Sequence, residues 1–138
     1  MEFLTNAISG LNEFRMLENA VRDSALPAAV TGVTGIHKAN IIYSLCARIG
    51  RRAFVVAGEE PEANRLCADL ESMGMHPLLY PVRDFFLRDA EGSSHEYERQ
   101  RLQAEQRLLD GSCDAVVCCM DAALQFTIPP EELEKRTL

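Results

Sequence analysis

The sequence contains no apolar run near the roughly 20 residues a membrane span requires, no Cys-x-x-Cys pair, and fewer basic than acidic residues, 14 against 21. Each absence removes a class of function. Without a long apolar run the chain is expected to be a soluble globular domain with no membrane partner. Met1-Glu2-Phe3-Leu4 offers no basic stretch followed by an apolar core and a small-residue cleavage site, so no export signal is expected and the cytoplasm is the expected compartment. A formal net charge of -7 argues against a dedicated nucleic-acid surface, because neutralising phosphates takes clustered Lys and Arg. Cys46, Cys67, Cys113, Cys118 and Cys119 are odd in number and sit mostly in apolar segments. They read as reduced packing residues, and His37, His76 and His95 do not complete a metal-ligand spacing, so no metal is assigned.

What is present suits one α/β domain. At 138 residues the chain can bury a core without metals or disulfides. Leu4, Ala7, Ile8, Leu11, Phe14, Leu17 and Val21 recur at three- and four-residue spacing, predicting an amphipathic helical flap over 1–24 that Gly10 divides in two. The apolar run at 27–31 precedes Gly32 and Gly35 and predicts a buried strand feeding a loop. Residues 37–49 predict a mostly buried helix, closed by Gly50. The run at 53–57 predicts a strand covered on both faces. Pro61 and its flanking acids open a helix lined by Ala63, Leu66, Cys67, Leu70 and Met73, which Gly74 ends.

A third strand is predicted at 78–80, then a polar connection over 81–92 that carries Phe85, Phe86 and Leu87 as packing residues. Ser93 with Glu96 is a capping-box pattern opening a helix to Leu109. A buried strand over 114–119 follows, then a short helix over 121–126 with Asp121 as its N-cap. Alternating strands and helices predict a parallel sheet with helices on both faces. The expected division is a flap at 1–24, a degenerate P-loop NTPase-like α/β domain at 25–128, and the start of a further subdomain at 129–138. Arg99, Arg101 and Arg107, interleaved with Glu96, Glu98 and Glu105, read as a salt-bridged solvated face.

Residues 32–39 read Gly-Val-Thr-Gly-Ile-His-Lys-Ala. A phosphate loop of the form Gly-x4-Gly-Lys-Ser/Thr wraps phosphates in backbone N–H groups, neutralises them with Lys and holds magnesium through the hydroxyl. Gly32 and Lys38 occupy their places, with Gly35 between them. His37 replaces the second Gly and Ala39 the hydroxyl residue. Losing the magnesium ligand costs about 1.5–3 kcal/mol and a side chain at a close-approach Gly roughly 1–3 kcal/mol more. Nucleotide affinity should therefore be weakened roughly 10²- to 10⁴-fold. Gly32, Gly35, His37 and Lys38 are thus a vestigial phosphate loop, and no catalytic residue is assigned. A stand-alone nucleotide- or anion-binding P-loop-like protein is the alternative.

Gly32-Val33-Thr34-Gly35 with Lys38 resembles the Gly-Val-Thr-Gly-Ser-Gly-Lys-Thr loop of UvrB, the helicase-like subunit of the bacterial excision nuclease. Combined with the damaged loop, it looks like the N-terminal UvrB-like module of the transcription-repair coupling factors (Mfd). Residues 55–57 with 60–66, 80–84, 98–102, and 122–125 followed by 128–131 are similar to that family in order and spacing. The resemblance implies a helicase-like, degenerate Walker A fold acting in transcription-coupled nucleotide excision repair after DNA damage. It implies a scaffold that supports UvrA recruitment, mainly through the following subdomain, and needs no cofactor of its own. The ATP, magnesium, DNA and RNA polymerase of the full-length protein belong elsewhere in its chain.

Overall fold

A computed structural model describes residues 2–82 and 96–136. The predicted flap forms as two helices, α1 (Glu2–Ser9) and α2 (Asn12–Arg22). The break falls at Gly10 and Leu11, whose N–H groups donate to Ala7 and Ile8 carbonyls at 3.3 and 3.0 Å, closing α1 in a tight turn. Phe14 and Glu18 are the buried side chains of α2. The Glu18 carboxylate, 7% exposed, is held at 2.8 Å by both Arg22 of its own helix and Arg48 of α3 (Ile36–Ile49). Arg22 also donates to the Arg48 carbonyl at 2.8 Å, so the flap is fixed to α3 by charge as well as by apolar contact. Gly50 ends α3 in the left-handed conformation at φ 69°, its N–H donating to Cys46 at 2.9 Å. A side chain there would be strained.

Three parallel strands, β1 (Ala53–Ala57), β2 (Pro77–Tyr80) and β3 (Ala115–Cys119), form a sheet in the order β1-β3-β2. Ala53 and Pro77 both pair with Ala115. Helix α4 (Glu60–Ser72) crosses from β1 to β2 past the place β3 will take, and α5 (Glu96–Leu109) returns the chain to the centre. Right-handed crossovers in opposite directions put the two helices on opposite faces. Ala63, Leu66, Cys67 and Leu70 of α4 are buried in the core as predicted. Every residue of β3 is buried, because among the described residues it alone has strands on both sides, and α4 and α6 pack against it. The two outer strands are locked to it at their starts. The His76 N–H donates to Asp114 Oδ2 at 2.9 Å, the Asp114 N–H to the His76 carbonyl at 3.0 Å, and the Ala53 N–H to the Asp114 carbonyl at 3.3 Å.

The structure corrects several expectations. Residues 27–31 form no strand and are exposed; among the described residues their backbone joins no sheet. Helix α3 is mostly half-exposed rather than buried, with only Ala39 and Ser44 fully covered. It packs on α4 and on both flap helices, α1 and α2, rather than against the sheet. Strand β1 is covered on one face only, leaving Phe54 67% and Val56 41% exposed, because it is an edge strand among the described residues and α5 reaches β2 rather than β1. The short helix α6 is confined to Met120–Ala123 with Cys119 as N-cap, so Asp121 lies in its first turn and is not the cap. Pro130 then opens α7 (Pro130–Arg136), which buries Leu133. Phe85, Phe86, Leu87 and Ser93 lie outside the described residues.

Candidate functional site

The loop at 32–38 enters α3 through two glycines with positive φ, Gly32 at 76° and Gly35 at 52°. No side-chain cap closes the helix. Instead the His37 and Lys38 N–H groups donate back to Thr34 and Gly35 carbonyls at 3.2 and 3.0 Å. Two N–H groups of the kind that a phosphate loop offers to its ligand are thus used by the loop itself. Ala39, at the position of the motif hydroxyl, is fully buried in the core. It belongs to packing, so its identity cannot be relaxed to a magnesium ligand without placing a hydroxyl among apolar side chains. His37 is exposed.

Lys38 is exposed yet paired. Its Nζ donates to Glu62 Oε1 at 2.7 Å, and the other oxygen of that carboxylate, Oε2, accepts the Gly58 N–H at 3.2 Å. Glu62 stands in the first turn of α4, just beyond the C-terminal end of β1. The Lys38 ammonium, and after it the Gly58 N–H, hold the Glu62 carboxyl below the usual carboxylate range. Gly35, Lys38, Glu62, Arg65 and Asp69 line an open cleft of about 360 Å³ between the loop and α4. Lys38 therefore pairs with Glu62. Glu62 read in the sequence as a helix-opening acid; its reach across to Lys38, 24 residues away, has no local sequence signal.

A second polar cluster joins α5 to the sheet. Arg101, 5% exposed, donates to the Pro81 carbonyl at 2.8 Å, to Gln125 Oε1 at 3.0 Å and to the Tyr80 hydroxyl at 2.7 Å. Its guanidinium carbon lies 4.3 Å from the Tyr80 ring centre. Tyr80 in turn donates to Glu105 Oε1 at 2.8 Å. Burial and the Glu105 bond push the Tyr80 phenol well above its ordinary value. This corrects the expectation of a solvated arginine strip at one position: Arg99 and Arg107 are exposed as expected, whereas Arg101 faces inward. Burial likewise raises the thiol pKa of Cys46, Cys67 and Cys118, which suits packing rather than nucleophilic roles. Among the described residues no group of His, Cys, Asp and Glu could hold a metal ion, and no helix is long and apolar enough to cross a membrane.

Fold and loop together describe a small parallel α/β unit in which the His37 and Lys38 N–H groups are engaged within the loop. No family model matches the chain, and no solved structure matches it. Among curated proteins it is similar to the transcription-repair-coupling factor of Bacillus subtilis (strain 168), with 24% identity over 137 residues. That alignment takes in 98% of this chain but 12% of the relative's length.

Proposed function

We propose that this chain is a non-catalytic module of a transcription-repair coupling factor acting in transcription-coupled nucleotide excision repair. In this reading it is a UvrB-like scaffold with a degenerate phosphate loop. It supports UvrA recruitment, mainly through the subdomain that follows it, while an ATP-driven DNA translocase elsewhere in the polypeptide acts on DNA and RNA polymerase. The observation that carries the reading is the collinear likeness to a factor of that name along 98% of the chain. The state of the loop supports the non-catalytic part: two defining residues are replaced, two N–H groups are engaged internally, and Lys38 is paired with Glu62.

The test is strand-specific repair of ultraviolet lesions in cells whose full-length polypeptide is altered only in this module. Deleting the module should abolish the preference for the transcribed strand, and Lys38→Ala should leave that preference intact. A preference that survives the deletion sinks the scaffold role. One that disappears with Lys38→Ala in a normally folded protein sinks the vestigial loop.

A further inference from the structure

The loop has lost half of its defining residues yet keeps its lysine, and that lysine has a specific anionic partner. The Glu62 carboxylate contacts a lysine at the start of one helix and a backbone N–H at the end of a parallel strand, one oxygen on each. In an α/β sheet, ligands bind beyond the C-terminal ends of the strands, next to helix N-termini. A phosphate seated there would present two oxygens in much the same way. Lys38 and Glu62 are 47% and 46% exposed, so the pair needs no burial to form and remains open to competition from solutes.

We infer that Glu62 is the internal counter-anion of this loop, occupying Lys38 and the Gly58 N–H so that phosphate-bearing ligands are kept off them. This deepens the non-catalytic reading and rests on it. The competition is unequal because Glu62 is tethered: an intramolecular group acts at an effective concentration set by its short linkage, commonly in the millimolar range or above, whatever the solute concentration. An entering phosphoanion must therefore displace a carboxylate that never diffuses away. The Gly58 N–H adds a second point of attachment, and no atom of the chain has to move for the arrangement to persist.

The probe is inorganic pyrophosphate without magnesium, titrated calorimetrically into the whole chain as wild type, Glu62→Gln, Glu62→Ala, and Glu62→Gln with Lys38→Ala. Glu62→Gln keeps the shape of the first turn of α4 but removes the charge, and circular dichroism confirms that each variant is folded. The wild type should show no saturable binding at millimolar pyrophosphate. Both Glu62 variants should bind at least about tenfold more tightly than the wild type, and removing Lys38 should abolish that gain. Equal affinity in wild type and Glu62 variants, or no binding in any of them, overturns the inference while leaving the non-catalytic reading untouched. Magnesium-dependent ATP turnover by the wild type overturns both.

Discussion

Arg101 ties the end of β2, α5 and the segment after α6 together through one guanidinium. Replacing it with Met leaves the Pro81 carbonyl, the Gln125 amide oxygen and the Tyr80 hydroxyl without their shared donor in a buried setting. The expected cost is about 3 kcal/mol, in the range for breaking a buried charged contact. Arg101→Lys should recover less than half of it, since an ammonium cannot fork to three acceptors around a ring face. Arg99→Ala, on the exposed side of the same helix, should stay within about 0.5 kcal/mol of the wild type. Urea denaturation of the three variants measures this, and similar midpoints for Arg99→Ala and Arg101→Met would refute the buried role. The distinction was legible in the sequence in principle: at 3.6 residues per turn, positions 99 and 101 lie roughly 200° apart on the helix. Position 101 shares its side with Ala104, a core residue. Grouping the arginines by charge instead of by rotation hid it.

At the level of elements, what the sequence revealed followed from local pattern, and what it concealed depended on distant partners. Gly10 marked the division of the flap, the residues lining α4 were those its periodicity nominated, and β3 is buried throughout, as its unbroken apolar run implied. An apolar run cannot say whether neighbours exist to cover it. That is why residues 53–57 became a half-covered edge strand and residues 27–31 no strand at all. The loop shows the same limit, because its missing residues could be read one by one while the Lys38–Glu62 pairing required α4 to be brought beside α3. The attachment of the flap is testable on these terms. Glu18→Gln weakens the bonds to Arg22 and Arg48, and because both arginines are nearly half-exposed the expected loss is about 1–2 kcal/mol. It should fall on α1 and α2 more than on the sheet. Amide hydrogen exchange should therefore quicken in α2 with little change in β3, and uniform acceleration in both would show that the flap is not held separately.

For the molecule as a whole, the same ionisable contacts set a window of pH. The bonds from Arg48 and then Arg22 hold the Glu18 carboxyl below the ordinary glutamate value of 4.5, and the His76 N–H and ring hold Asp114 below 3.8. Their folded-state values lie under their unfolded ones, so their contributions are complete above about pH 5 and are lost as pH falls through the folded values. Tyr80 acts at the other end. Its phenol is raised above the ordinary 10.0 by burial and by its bond to Glu105, so the stability that depends on its proton is complete below that value and is lost as pH rises beyond it. Unfolding free energy measured in urea should be level between about pH 5 and pH 9 and fall on both sides. In Glu18→Gln combined with Asp114→Asn the acid limb should become shallower from a lower plateau, Glu62 carrying what remains, and in Tyr80→Phe the alkaline limb should become shallower, the buried thiols of Cys46, Cys67 and Cys118 carrying what remains. The two changes act on separate limbs because Glu18 belongs to the contact between the flap and α3, Asp114 to the strand starts, and Tyr80 to the contact between β2 and α5. An alkaline limb that keeps its slope in Tyr80→Phe would assign the high-pH loss to groups outside the Arg101 cluster.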